Sequence, residues 1–532
     1  MNAISDLDTV LIGAGHNGLT CAAYLGMAGL RVRVLERRSM VGGASVTEEF
    51  HPGFRNSTAA YTVGLLQPKI IRDLKLHKHG LRIVNRRAQN FLPLPDGRYL
   101  LTGEGRTERE IAKFNARDAV RYTVYQAEIS RVAGVLRSLV LNAPPNLVLG
   151  SFSHTMRELG KLAAIGKKLW QVDGLKAAFR LFRKSAGRML DDWFDSDPIK
   201  AVLGFDAVVG NFASPYTPGS AYVLLHHVLG EVNGKQGLWG HAIGGMGAIT
   251  QAMARVAGEH GVRIDVRSAV REVIVERGRA TGVVLEDGTP VRARAVVANV
   301  DPQHLFQALV PREAVPSAMA ARMKTWKAGS GTFRMNVALS KLPEFPALPA
   351  AGDHHTSGII LAPSLSYMDQ AYRDCARYGW SRAPIIEMLI PSTLDDSLAP
   401  PGAHVASLFC QHVAPQFADG SSWDQHRETV ADLMIDTVEA YAPGFKASVI
   451  GRQSLSPFDL ERIFGLPNGD IFHGALTLDQ LFSARPMLGY ADYRMPIPGL
   501  YLCGSGAHPG GGVTGAPGHN AAQAVIADLL QK

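Results

Sequence analysis

Thr9-Val10-Leu11-Ile12-Gly13-Ala14-Gly15-His16-Asn17-Gly18 is the stretch on which the reading of this chain turns. The mostly apolar run Thr9 to Ile12 predicts a buried parallel strand, and Leu19 to Leu25 predicts a helix. Between them stand three glycines at G-x-G-x-x-G spacing. Gly13 permits a tight turn, Gly15 lets backbone approach a pyrophosphate, and Gly18 lets helix pack on strand. The helix start then offers free N–H groups and a positive dipole end to phosphate. A second strand, Arg31 to Leu35, ends in Glu36, where a carboxylate accepts hydrogen bonds from an adenosine ribose. A lone glycine turn before a helix is common. Strand, glycines, helix, strand and acid at these distances together predict dinucleotide binding.

Around this unit the chain is long. Its 532 residues predict two or more domains. A hydrophobic content of 46% fits a globular protein, and no run reaches the roughly 18 uncharged apolar residues of a membrane span. Met1 to Asp8 is short and polar and leaves no room for a signal peptide, so the expected location is cytoplasmic. Cys21, Cys375, Cys410 and Cys503 are scattered with no C-x-x-C pair, which indicates neither a thiol–disulfide centre nor a zinc site. The net charge of +8 suits plain solubility or attraction to an anionic surface, and total charge does not choose between them.

Downstream of Glu36, Arg37 is placed to pair with a phosphate or cap the adenine edge, or else is a solvated arginine. Gly42-Gly43-Ala44 supplies a second glycine loop able to close over the pyrophosphate. Asn90 to Leu101 reads as a hairpin, Glu108 to Leu141 as helices, and Ala143 to Asn146 as a break. Gly174 to Phe194 carries an amphipathic stripe of Leu175, Phe179, Phe182, Ala186, Met189 and Trp193 beside a basic face. Such a helix is able to lie in a membrane interface. Packing on its own domain is the favoured reading. His226 and His227 point about 100° apart on a helix and are poor partners for one metal ion. A further glycine cluster, Trp239 to Gly247, precedes a helix but lacks a preceding apolar strand. It reads as chain re-entering the nucleotide domain, its glycines allowing close approach to the cofactor, and Gly261 to Val266 as a short segment leading elsewhere. Ser268 to Ala298 reads as strands. Thr332 to Leu339, Pro384 to Ile390 and Ala403 to His412 predict a second sheet, with a helix over Trp423 to Tyr441 capped at Ser422. His354-His355 reads as surface loop. Gly499 to Gly506 is a buried strand ending in glycines, and Ala507 to Ala516 leads into a final helix through Leu529, repeating the logic of the opening.

Gly13 to Gly43 resembles the FAD-binding start of the flavin amine oxidase and phytoene desaturase superfamily. Ser214 to Glu231, Gly244 to Gly247, Ile471 to Gly474 with Leu478 to Leu481, and Gly499 to Ala521 resemble its carotenoid/retinoid-type oxidoreductases. The resemblance implies an α/β fold: a Rossmann-like FAD-binding domain built from separated segments (1–85, 240–304 and 485–532). To it are added a helical lid part (86–239) and a mixed-sheet part (305–484) of a substrate domain. It implies noncovalent FAD held by Gly13, Gly15, Gly18, Glu36, Arg37, Gly42, Gly43, Ala44, Val270, Gly504, Gly512, Val513 and Thr514, with Val270 meeting the adenine through its backbone.

The expected activity is oxidation or reduction at CH–CH bonds of a hydrophobic, isoprenoid- or lipid-like molecule. FAD brings the hydride chemistry and the protein brings orientation and exclusion of water. His508 is the first choice as acid–base residue, with His519, His473 and Tyr490 as others. An ordinary loop histidine is an equal reading of His508. No Ser-His-Asp set or carboxylate pair stands out. A flavin amine oxidase on the same scaffold is the alternative, though no aromatic cage or anchoring arginine is evident. A non-catalytic FAD protein at a membrane, using Gly174 to Phe194, is a further one. The expected partner is a hydrophobic small molecule, not nucleic acid, and no metal is expected.

Overall fold

Strand Thr9–Ile12 is buried along its whole length and turns at Gly13 into the helix His16–Met27. This is seen in a computed structural model that describes residues 7–146, 148, 152–172 and 174–530. The strand lies parallel between Val32–Leu35 and Ala295–Ala298. Arg263–Asp265 extends the sheet on one side and Leu500–Leu502 on the other, both parallel. Strands covered on both faces need apolar residues at nearly every position, which is why Ala295–Ala298 and Leu500–Leu502 read as unbroken apolar runs. Helix His16–Met27 packs against both Gly247–Glu259 and the C-terminal Ala516–Leu530. The last contact is intimate: a Cβ on Gly518 would stand 2.1 Å from the Asn17 carbonyl oxygen.

Two sequence expectations change here. Gly261 to Val266 does not lead elsewhere, because Arg263–Asp265 pairs with Val32–Leu35 as the sheet's edge strand. The glycines of Trp239 to Gly247 close on protein rather than cofactor. Cβ atoms on Gly245 and Gly247 would meet Thr47 of the hairpin formed by Thr47–His51 and Phe54–Ser57. Gly247 N–H and Met246 N–H donate to Thr47 Oγ1 and Ser57 Oγ.

A second sheet of seven strands runs in the order Val449–Leu455, Thr332–Leu339, His404–Val413, Trp380–Leu389, Gly358–Leu361, Asn90–Pro93 and Tyr99–Leu101. Only the pair Gly358–Leu361 with Asn90–Pro93 is parallel. The hairpin Asn90 to Leu101 thus forms and joins this sheet. One face is covered by Trp423–Tyr441, whose start is capped at Ser422 as expected, in a capping box with Gln425. The other meets helices between Thr107 and Val228, including Ala116–Arg137 and Asp197–Val208. His354 and His355, expected at the surface, are buried in a short turn against Phe91 and Phe345. Strand Gly358–Leu361 draws that turn inward.

The Gly174 to Phe194 stripe is not one helix. The chain breaks at Lys184 and Ser185 into Leu175–Arg183 and Ala186–Trp193, with Ser185 capping the second. Ala177, Ala178, Leu181, Ala186, Met189 and Leu190 face inward, while Phe179 is exposed. Two residues of the basic face are paired within the protein, Arg180 with Glu128 and Lys184 with Asp192. The side chains of His226 and His227 lie outside the described residues. Among the described residues no helix is long and apolar enough to cross a membrane.

Candidate functional site

One cavity of about 560 Å³ is walled by both sheets and the helical region. Its nucleotide end is built by the opening motif. Gly13 has φ +91°, a conformation that costs glycine little. A Cβ on Gly18 would stand 2.3 Å from the Gly13 carbonyl oxygen. Asn299, just after the strand Ala295–Ala298, fills the space the glycines leave. Its Nδ2 donates to Gly13 O at 3.3 Å and would lie 2.9 Å from a Cβ on Gly15. The second glycine loop runs beside the first, with a parallel bridge between Gly15 and Gly42. Helix His16–Met27 has no side-chain cap at Gly15, so its first N–H groups are left for a ligand.

Glu36 is buried and fixed. Its Oε2 accepts from Ala14 N–H and its Oε1 from Arg38 N–H, both at 2.8 Å, and lone pairs remain for ribose hydroxyls. Gly13, Gly15, Glu36, Arg37, Gly43, Ala44, Val270, Gly512 and Val513 all line the cavity. Gly18, Gly42, Gly504 and Thr514 stand behind the wall. Gly504 abuts the Val300 carbonyl, and Thr514 accepts from Ala516 N–H and Gln67 N–H. Arg37 does not need a phosphate to be satisfied. Its Nη2 donates to the carbonyls of Arg462 and Ile463 at the end of helix Pro457–Phe464.

His508, the first-choice acid–base residue, packs against other protein groups. It is buried outside the cavity wall, with Nε2 3.4 Å from the Leu139 carbonyl and its ring near Phe482. Burial pushes its imidazole down to about 4, so it is neutral. His519 packs edge-on to Tyr24, and Tyr490 packs on the nucleotide-domain core. Of the candidate acid–base histidines, His473 is in the wall, where His304 and His16 also stand. Burial lowers His473 to about 3 and His16 to about 4.

These residues fit FAD. Glycine backbone, a fixed carboxylate and a helix start match a dinucleotide. Wall residues also carry buried polar atoms with no protein partner: His16 Nε2, Arg38 Nη1 and His473 Nδ1. The loop bearing His473 is tied down by Arg485. This fully buried guanidinium donates to the carbonyls of Phe472 and Ser505 at 2.7 Å and of Gln480 at 3.1 Å. Neither Asn299 nor Arg485 was legible as a site residue, because each acts through a contact distant in sequence.

The remaining wall is not simply oily. Val63, Leu65, Phe205, Val209, Trp239 and Phe409 are apolar, but Tyr61, Arg86, Asn90, Asp206 and Glu387 stand among them. Tyr61 is stacked on Phe409 and covered by Arg334, and its hydroxyl donates to Glu387 Oε2 at 2.5 Å. Arg334 is spent on the protein, donating to the Ala59 and Leu408 carbonyls and to Ser407 Oγ. This polar group, Tyr61, Arg86, Asn90, Asp206 and Glu387, comes from four separate stretches of chain, and no local motif announces it.

Comparison with known proteins agrees with this geometry. Residues 18–332 match the family model described as flavin containing amine oxidoreductase. Pyridine nucleotide-disulfide oxidoreductase domain-containing protein 2 of Rattus norvegicus is 44% identical over 98% of this chain and 94% of its own. The lycopene-forming phytoene desaturase of Pseudescherichia vulneris is 26% identical over 98% of this chain and 99% of its own. The crystal structure of an oxidoreductase from Methanosarcina mazei shares the fold, with a TM-score of 0.61 and 17% identity over 98% of this chain and 100% of that one. The rat protein's name mentions a disulfide, whereas the four cysteines here are free and buried. The chain is therefore a member of the flavin-containing amine oxidoreductase family, an FAD-dependent oxidoreductase.

Proposed function

We propose that this protein oxidises or reduces a carbon–carbon bond of a lipophilic small molecule. The observation that carries the reading is the continuity of the cavity. One void joins the nucleotide loops to a chamber walled by Val63, Leu65, Phe205, Val209, Trp239 and Phe409. Bound FAD supplies hydride transfer. The chain's own residues do the rest. Gly15, Gly43 and the start of helix His16–Met27 would hold the pyrophosphate, and Glu36 the ribose. The apolar wall orients the substrate and excludes water, which strengthens the electrostatic interactions inside. His16 and His473 are neutral by burial and present uncharged imidazoles. The phytoene desaturase of P. vulneris, similar along its whole length, is named for a desaturation and supports the same chemistry.

An amine or amino-acid substrate fits less well. Arg86 stands in the wall, yet Glu387 and Asp206 stand beside it and oppose a carboxylate, while Arg86 opposes an ammonium. The test is single-turnover reduction under argon. The expected outcome is bleaching of the flavin absorbance by an isoprenoid or polyene, or reoxidation of the reduced flavin by one. Bleaching by primary amines and not by any polyene would overturn the reading.

A further inference from the structure

The wall around Asp206 holds polar groups that the protein leaves unused. Asp206 lies on helix Asp197–Val208, and its carboxyl group has no hydrogen bond or ion pair among the described residues. The surface it retains faces the cavity. Arg86 is 8% exposed and makes one side-chain hydrogen bond, Nη2 to Thr62 Oγ1 at 2.6 Å. Glu387 uses Oε2 for Tyr61 and leaves Oε1 without a partner. Glu387 and Arg86, together with Asn90, come close to one another beside Gly358. A Cβ on Gly358 would stand 2.4 Å from Glu387 Oε1 and 3.2 Å from both Arg86 Nη1 and Asn90 Oδ1. Buried polar groups are normally paired, and leaving them unpaired costs free energy. Asp206, Arg86, Asn90 and Glu387 all line the one void, where polar atoms that the protein does not pair are open to a ligand.

We propose that Asp206, Arg86, Asn90 and Glu387 form the subsite for a neutral oxygen function, a hydroxyl or carbonyl, carried by the otherwise apolar substrate. The inference rests on the reading of a lipophilic substrate given above. The charges decide the sign of the ligand. Arg86 and Arg334 stand against Glu387 and Asp206, so neither an anion nor a cation meets a net opposite charge. At Gly358 the Arg86 Nη1 donor sits beside the acceptors Glu387 Oε1 and Asn90 Oδ1, which is the complement of an alcohol, and the donor alone serves a carbonyl. Burial, and then the neighbouring Glu387, pushes the Asp206 carboxyl up to about 8, so near neutral pH it too can donate. The apolar side chains of Phe205, Val209 and Trp239 around these groups accept the hydrocarbon part.

The test uses FAD-loaded protein titrated with retinol, its deoxygenated hydrocarbon, retinoic acid and retinylamine. Binding is read by energy transfer from tryptophan, Trp239 being in the wall, and flavin reduction is read separately under argon. Retinol is expected to bind at least about tenfold tighter than the hydrocarbon, the acid and the amine, in line with the strong rejection of analogues lacking a hydrogen-bonding group. Asp206→Leu is expected to abolish that preference and Asp206→Asn to keep part of it, each with flavin content as the check on folding. Equal binding of alcohol and hydrocarbon, no binding of the alcohol, preference for the acid or amine, or a preference surviving in folded Asp206→Leu would overturn the proposal. The two readings fail separately. Preferential retinol binding with no polyene ever exchanging electrons with the flavin removes the carbon–carbon chemistry and keeps the subsite. Flavin reduction by the hydrocarbon as readily as by the alcohol, with equal affinities, removes the subsite and keeps the chemistry.

Discussion

At the scale of single residues, the nucleotide end depends on side chains that are absent. Gly18→Ala places a methyl carbon on the Gly13 carbonyl, a backbone atom that has nowhere to go. Overpacking of this kind costs about 1–3 kcal/mol, and here it also shifts the loop that receives phosphate. The expected result is purified protein with little or no flavin absorbance. Glu36→Ala removes the acceptor for Ala14 N–H and Arg38 N–H as well as for ribose. Hydrogen bonds to a charged group are worth about 1.5–3 kcal/mol, so FAD affinity should fall about 10- to 100-fold in a reconstitution titration. Asp301 gives a pH-dependent expectation. It caps the turn at Pro302 through Oδ1, and its Oδ2 is buried without a partner. Burial, then the Asp470 carboxylate, raises it from 3.8 to about 7. The folded state therefore holds a proton that the unfolded chain releases above about 4, and the stability belonging to this group is lost as pH rises from about 4 to about 7. Asp301→Asn cannot titrate. Its melting temperature relative to the parent should rise between pH 5 and pH 8, and a pH-independent difference would contradict the assignment.

At the scale of elements, Arg485 is the residue that fastens one piece of the wall to another. Its guanidinium gathers carbonyls from Phe472 to Gly474, from Gln480 and from Ser505, and so holds the His473 loop against the turn after Leu500–Leu502. Arg485→Met keeps most of the volume and leaves those carbonyls unpaired. A loss of about 3 kcal/mol or more is expected by denaturant titration, together with weaker FAD retention. The break at Lys184-Ser185 is the counter-case. Ser185 accepts from Arg188 N–H and starts a new helix, so the apparent stripe across Gly174 to Phe194 is split over two short helices.

At the scale of the whole molecule, the nucleotide sheet draws strands from both ends of the chain and its middle, so cofactor binding and folding are coupled. Any ligand that binds only the folded state stabilises it, by about 2.7 kcal/mol at a hundred times its dissociation constant. Stripping FAD should therefore lower the melting temperature, and added FAD should restore it in a concentration-dependent way. The sequence alone determined the opening nucleotide-binding unit of this protein. Strand, glycines, helix and acid are local, and their chemistry is written at fixed spacings from Thr9 to Glu36; the apolar runs and the cap at Ser422 likewise announce their own elements. Only the tertiary structure decided the rest. It placed Asn299 against the glycines, moved His508 out of the cavity and His354-His355 into the interior, and assembled Tyr61, Arg86, Asn90, Asp206 and Glu387 around one void. The physical reason is that those residues act through neighbours tens to hundreds of positions away. A polar side chain in an otherwise ordinary helix or strand carries no local mark of the partner, or the empty space, that it will face.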